Sequence, residues 1–148
     1  TALGLTEVSV LNPTGTDARG RPYGLIRTGM VREQRLAEFA AFVKSALPCP
    51  GLRFADAGKP VRRVAVGGGS CGGAIDDVLA AGCDTLVTAD LKYNHFEEAK
   101  YRGLNLIDAG HFETENPVCA VLERVVREAL PELTVLRAKA HKDETQFL

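Results

Sequence analysis

No stretch of this chain approaches the roughly 18 consecutive apolar residues that a membrane-crossing helix requires, so a helical span is not expected. Positive charge is not in excess either. Eighteen Lys and Arg against 19 Asp and Glu give a formal net charge of −1, with His neutral. Binding nucleic acid through its phosphates needs a basic face, and this balance provides no electrostatic case for one. The four cysteines, Cys49, Cys71, Cys83 and Cys119, form no Cys-x-x-Cys pair. They are too sparse for a disulfide scaffold, and reduced thiols in a cytoplasmic protein are the simpler expectation. The opening residues, Thr-Ala-Leu-Gly-Leu-Thr-Glu, lack the charged and apolar regions of a secretory signal. They also lack a methionine, which reads as a trimmed or excised piece. Internal repeats and low-complexity tracts are absent.

What is present suits one domain with a real core: 148 residues, 45% hydrophobic and 25% charged. Residues 1–60 read as a joining segment with a packing helix. Within them Val8–Leu11 alternates like a strand, turns follow at Asn12–Gly15 and Asp17–Gly20, and a second strand is expected around Tyr23–Arg27. From Arg32 to Leu47 the apolar residues Leu36, Phe39, Ala40, Val43 and Leu47 recur at helical spacing, and Pro48-Cys49-Pro50-Gly51 stops the helix. Phe54–Lys59 is a loop or edge. Residues 61–137 then read as a βαβαβαβ core. Strands are expected at Val61–Val66, Thr85–Thr88, Leu104–Ile107 and Leu133–Leu136, and a glycine-rich turn at Gly67–Gly73. Helices are expected at Ala74–Ala81, Asn94–Arg102 and Pro117–Leu130, the last carrying Val118, Val121, Leu122, Val125 and Val126. Such alternation implies an α/β, three-layer fold: a mainly parallel sheet with helices on both faces. Residues 138–148 form a polar tail.

The chemistry concentrates where strands would end, since the working edge of a parallel sheet lies beyond its carboxyl ends. After Leu104–Ile107 come Asp108-Ala109-Gly110, and then His111 and Glu115, four residues apart. If that segment coils, the two side chains share a face and can share a metal ion. A surface His and Glu near a helix start is the plainer alternative, because acidic residues are favoured there.

The glycine-rich run has five glycines in seven residues, which lets backbone N–H groups of Gly68, Gly69 and Ser70 approach a phosphate closely. It lacks the Gly-Lys-Ser/Thr of a Walker loop and the wider dinucleotide fingerprint. A tight turn is the alternative. Cys71 beside it is either a thiol of lowered pKa or a small packing residue. Past the next strand, Asp90 would emerge on the same edge as His111, to orient a ligand, hold a water or act as general base. It would equally serve as a helix cap. Lys92 is placed to meet an anionic substrate or simply solvent. His95 falls inside a helix and His141 in the tail.

Three segments taken together, Val64–Ser70, Thr88–Tyr93 and Leu106–Glu115, resemble the C-terminal half of the dinuclear metal-centre proteins, also known as GTP cyclohydrolase 1 type 2 homologues. Gly-His-x-x-Thr-Glu is the most specific of the motifs, and the likeness runs from about Leu5 to Leu136. The resemblance implies a fold whose two related halves enclose two metal ions, assembled as a toroidal hexamer. His111 and Glu115 match the two ligands of this half, Glu115 able to bridge both ions, and Asp90 matches an acidic neighbour. Many members have a histidine where this chain has Asn94, and His95 stands one place later. The adjacent histidines and aspartate of the family's first half have no counterpart here.

Three functions follow as expectations. The first is a metal-dependent hydrolase of a nucleotide, by resemblance a GTP cyclohydrolase, inactive as this half alone. The second is a non-catalytic metal-binding scaffold or interaction protein, and the third a phosphate-binding module without metal. Imidazole with carboxylate suits Zn, Fe, Mn, Co or Ni.

Overall fold

The computed structural model describes residues 2–148. In chain order they form β1 (Thr6–Leu11), β2 (Gly15–Thr16), β3 (Pro22–Tyr23), β4 (Ile26–Gln34), α1 (Leu36–Ala46), β5 (Arg53–Ala55), β6 (Val61–Ser70), α2 (Ile75–Ala80), β7 (Thr85–Ala89), α3 (Tyr93–Tyr101), β8 (Asn105–Asp108), α4 (His111–Glu115) and α5 (Pro117–Ala129). One six-stranded sheet, in the order β1-β4-β6-β7-β8-β5, is the centre of the molecule, and β2 and β3 make a small hairpin beside it.

The expected α/β layering is present. Adjacent apolar residues on the central strands explain it, because successive side chains of a strand leave opposite faces. Val64, Val87 and Ile107 pack with Leu36, Phe39, Ala40 and Val43 of α1 on one face. Ala65, Leu86 and Leu106 pack with Ile75 and Val78 of α2 and Ala99 of α3 on the other. Val64, Leu86, Val87, Leu106 and Ile107 are wholly buried. Each such side chain contributes about 1.5–3 kcal/mol relative to exposure.

The sheet is mixed rather than mainly parallel. Only β6/β7 and β7/β8 pair in parallel, and each of these neighbouring pairs is joined by a helical crossover, α2 or α3. β1/β4, β4/β6 and β5/β8 pair antiparallel. Residues 2–60, expected to join and to pack, thus also contribute β1, β4 and β5 to the same sheet. β4 runs on to Gln34, which faces Val61 of β6, so the helix begins at Leu36 and not at Arg32.

Two further expectations give way. The glycine run is not a free turn, since β6 continues to Ser70 with a register shift between Val66 and Ser70. Gly67 still pairs with Ile26 of β4 and Ser70 with Ala89 of β7, and between them Gly69 is held by the hydroxyls of Thr88 and Thr114. No strand forms at Leu133–Leu136. The sheet edge beyond β8 is already taken by β5. Finally, α5 forms as expected but buries none of its residues, leaving Val118, Val121, Leu122 and Val125 about half exposed. No helix among the described residues is long and apolar enough to cross a membrane.

Candidate metal half-site

The three central strands finish level with one another. Ser70 of β6 is opposite Ala89 of β7, and Thr88 of β7 is opposite Asp108 of β8. At each exit the chain takes a left-handed backbone: Gly69 at φ +64°, Asp90 at +55° and Gly110 at +83°. Two are glycines, for which that conformation carries no Cβ penalty. Gly110 turns the chain into α4, whose first and last residues are His111 and Glu115.

His111 faces a carboxylate at each ring nitrogen. Nδ1 lies 2.6 Å from Asp90 Oδ2, and Nε2 lies 3.3 Å from Glu115 Oε1. Thr114 stitches α4 to the glycine strand: its Oγ1 accepts from Gly69 N–H at 2.9 Å and lies 2.8 Å from Gly110 O as donor. Gly69 also leaves room for the pair. A Cβ there would come within 2.5 Å of Glu115 Oε1 and 3.0 Å of His111 Nε2. Asp90, His111 and Glu115 are each about half exposed, so the site is open to solvent.

The Asp90 hydrogen bond, helped by the charges of Asp90 and Glu115, raises the pKa of His111 above its ordinary value. The geometry explains why this matters. With Nδ1–H donated to Asp90, Nε2 turns a lone pair toward Glu115, and two acceptors 3.3 Å apart repel unless a cation stands between them. A proton on Nε2 meets that need, and so does a metal ion. Bond lengths of about 2.0–2.2 Å to imidazole N and carboxylate O put neighbouring ligands of a tetrahedral ion about 3.4 Å apart. The pair therefore fits one edge of a coordination sphere, and Asp90 sits on the far ring nitrogen, as outer-shell carboxylates of metal-binding histidines do. It is an edge and no more, since no group of three or more His, Cys, Asp or Glu suited to a metal occurs among the described residues.

The other residues singled out in the sequence sort by position. Gly68 backs the same pair, a Cβ on it reaching within 3.6 Å of Glu115 Cγ. The Gly69 amide is engaged by Thr114 and is not free for a phosphate. Ser70 and Lys92 are exposed, and they line neither cavity flanking the site. His95 Nδ1 accepts from Lys92 N–H at 3.1 Å, closing the first turn of α3. His141 packs on Phe112, ring centroids 5.2 Å apart. The Cys71 thiol is buried and its pKa is raised by that burial, which removes the reactive reading of it.

Sequence reasoning gave no role to Arg53, Asp108 or Glu113, nor to the tail. These residues, with Asp143 and Phe147, surround a cavity of about 270 Å³ beside His111 and Asp90. Arg53 Nη2 donates to Asp108 Oδ2 at 2.5 Å and to Leu91 O at 2.9 Å. Glu113 is buried, and that burial, with Asp143 next to it, raises its pKa. The one available signal was the pairing of Arg53 with Asp108, which appears only in the register of β5 on β8. A second cavity, about 260 Å³ and mostly apolar, lies on the other side of Gly68 and Thr114.

Known proteins resemble this chain in sequence, and others in fold. A Nostoc protein named GTP cyclohydrolase 1 type 2 homolog is 39% identical over 129 residues, spanning 84% of this chain and 47% of the relative. A Streptomyces coelicolor protein of the same name is 40% identical over 123 residues, 80% of this chain and 43% of its own. The chain thus spans about half the length, or less, of these relatives. Among solved structures, a Staphylococcus aureus hypothetical protein superposes with a TM-score of 0.86 at 24% identity, covering 99% of this chain and 61% of that one. A Bacillus cereus protein related to NIF3 gives a TM-score of 0.73 at 31% identity, covering 87% of this chain and 37% of that one. The family model Duf34/NIF3 (NGG1p interacting factor 3) matches residues 1–144, and the chain belongs to that family.

Proposed function

We propose that this chain is the C-terminal half of a two-metal hydrolase acting on a nucleotide, and that it supplies one edge of the metal centre. The observation that carries the reading is the facing pair, His111 Nε2 and Glu115 Oε1 at 3.3 Å, with the opposite ring nitrogen tied to Asp90. His111 and Glu115 are the residues that would hold the metal, Glu115 being the one that the resemblance makes able to serve both ions. Asp90 fixes the imidazole tautomer so that Nε2 is the ligating atom. Divalent ions held there supply polarisation of the substrate and a water acidic enough to ionise near neutral pH. Zn, Fe, Mn, Co and Ni all suit this donor set. Gly68, Ser70 and Lys92 are the proposed phosphate contacts at the strand ends, and Gly69 keeps space open between them and the metal edge. The curated relatives' name, GTP cyclohydrolase 1 type 2 homolog, supports a nucleotide substrate. Their greater length and the uncovered apolar face of α5 support a chain that works within a larger homo-oligomer, a toroidal hexamer by resemblance.

Two protein ligands are fewer than the three or four that usual metal sites employ. The chain alone is therefore expected to bind divalent metal weakly and to turn over no GTP. Calorimetric titration with zinc or manganese tests this: weak binding that His111→Ala removes is expected. Submicromolar stoichiometric binding by this chain overturns the half-centre reading, and loading that survives His111→Ala overturns the ligand assignment.

A further inference from the structure

We propose that the ion pair of Arg53 and Asp108 positions the metal edge: one buried carboxylate, held by one guanidinium, fixes the two backbone turns that bring Asp90 and His111 together. Both are positioning residues and would not themselves touch the metal. What the pair is for rests on the proposed hydrolase reading, but its geometry does not.

Asp90 and His111 need such a device. They stand 21 residues apart, on the exits of different strands. Their side chains are each about half exposed, so close packing does not set the 2.6 Å between Asp90 Oδ2 and His111 Nδ1. The backbones that carry them set it, and both turns are left-handed, at Asp90 and at Gly110. Such a conformation at a non-glycine residue persists only where its surroundings hold it.

The ion pair holds both turns. Leu91, the residue after Asp90, donates its N–H to Asp108 Oδ2 at 3.1 Å, and its carbonyl accepts from Arg53 Nη2 at 2.9 Å. Both backbone polar groups of that residue are thus engaged by the pair, and its side chain is buried in the core. Gly110, the residue before His111, donates its N–H to the other oxygen, Asp108 Oδ1, at 3.3 Å. Arg53 Nη2 closes the arrangement by donating to Asp108 Oδ2 at 2.5 Å. The register of β5 on β8 puts Arg53 opposite Asp108, and the Phe96 ring of α3 lies 5.2 Å from its guanidinium carbon.

The fold alone does not ask for this pair. Burying a carboxylate is costly even when it is matched, and apolar residues often serve stability as well or better. The neighbouring strand β7 ends in Ala89, wholly buried and uncharged, whereas β8 ends in Asp108 at 6% exposure. An apolar residue cannot accept hydrogen bonds from two turns at once. Release of either turn breaks the contact between Asp90 and His111 after a shift of about 1 Å, because hydrogen bonds fade near 3.5 Å.

The first readout uses the metal-free chain. Long-range ¹H–¹⁵N spectra at pH 9, where the His111 ring is neutral, are expected to show the wild-type proton on Nδ1, donated to Asp90. Asp108→Asn cannot accept at both positions, and Arg53→Met has no donor. In each, the ring is expected to become a mixture of Nδ1–H and Nε2–H tautomers. Zinc titration is the second readout, with each variant expected to bind about tenfold more weakly, as when outer-shell partners are lost. Asn105→Ala is the control for a merely structural role. Asn105 starts the same strand, is wholly buried, and bonds Ala57 N–H, Lys59 O and Thr85 Oγ1. Its loss is expected to lower the melting temperature and to leave the tautomer and the zinc affinity as in wild type. Arg53 is 62% exposed, so Arg53→Met keeps the test alive should Asp108→Asn fail to fold. A wild-type ring protonated on Nε2, a wild-type tautomer in either folded variant, or an equal tautomer shift in Asn105→Ala overturns the proposal. So does wild-type zinc affinity in either variant while His111→Ala removes binding. Zinc loading that survives His111→Ala instead sinks the metal edge itself, and the tautomer, read without metal, then still decides whether the pair positions the ring.

Discussion

Gly69 separates the cost of backbone strain from the cost of a blocked site. Gly69→Ala puts an L-residue at φ +64° and a methyl group 2.5 Å from Glu115 Oε1 and 3.0 Å from His111 Nε2. Left-handed backbone costs a non-glycine residue about 1–2 kcal/mol, which for a domain of this size lowers the melting temperature by about 2–8 °C. The contact itself is cheaper in stability, because the Glu115 carboxylate is half exposed and swings aside. The site suffers instead, since the carboxylate leaves the 3.3 Å separation from Nε2 that a shared cation requires. Gly58→Ala is the matched control: φ is +75° and nothing lies within 4 Å of a Cβ there. Thermal unfolding of the two variants is expected to agree to within about 1 kcal/mol, the scatter of such backbone substitutions. Zinc titration is expected to differ, with Gly69→Ala at least tenfold weaker than wild type and Gly58→Ala unchanged. Wild-type metal binding by Gly69→Ala would refute the assignment of this glycine to the metal edge.

Asp90→Asn keeps the left-handed backbone, which asparagine tolerates, but removes the charge that holds His111 Nδ1. NMR titration of His111 is expected to show its pKa falling toward the ordinary value, and metal affinity to drop by about 10–100-fold as when other outer-shell partners are lost. The stability effect has a definite sign. Because the folded-state pKa of His111 is raised, its ion pair with Asp90 stabilises fully below the unfolded value of about 6.5 and fades as pH rises through the folded value. Urea unfolding should therefore show the largest penalty for Asp90→Asn near pH 5.5 and almost none near pH 9. Metal binding runs the other way, strengthening as pH rises, because a proton on Nε2 competes for the same position. Among the thiols, burial pushes Cys49 up to about 11 and raises Cys71 and Cys83, while Cys119 is only partly buried. A chromogenic disulfide at pH 8 should find one fast thiol of four, and Cys119→Ser should remove it. Several fast thiols in the native chain would contradict this packing.

The middle of the sheet was legible because Val64-Ala65, Leu86-Val87 and Leu106-Ile107 are paired apolar residues that bury on opposite faces, the mark of a strand covered on both sides. The edges were harder. β1 has exposed residues along most of its length and β5 only three residues, so neither carries a strong pattern. Gly67–Gly69 looked like a turn because glycine usually marks one, but the strand runs through an irregularity there, with Gly67 paired to Ile26 of β4, Ser70 to Ala89 of β7, and Gly69 between them held by the hydroxyls of Thr88 and Thr114. Asp90 was found because it follows directly on a strand end, and His111 and Glu115 because they stand four residues apart in the segment leaving the next strand. Arg53 was missed because its partner Asp108 is 55 residues away in sequence, and only antiparallel pairing of β5 with β8 joins them. The tail was missed for a related reason. Phe147 reaches the cavity across Gly51, a contact that no local periodicity encodes.

Left-handed backbone, found also at Glu7, Asn12 and Pro48, recurs where the side chains converge. Gly69, Asp90 and Gly110 all have positive φ, one at the end of each of three neighbouring strands. At Gly69 and Gly110 the sequence uses the residue that adopts this backbone freely, and at Gly110 a Cβ would also collide with Glu113 Oε2. At Asp90 it does not, and accepts a penalty of about 1 kcal/mol where glycine would carry none. A helix cap or a solvated loop would not require that choice, since glycine would make the same turn at lower cost. What glycine cannot supply is the carboxylate 2.6 Å from His111 Nδ1. Asp90→Gly should therefore hold or raise stability at alkaline pH, where the ion pair no longer contributes, while releasing the imidazole and weakening metal binding as much as Asp90→Asn does. A variant that is destabilised at pH 9 instead would mean that the left-handed turn serves the fold and not the site.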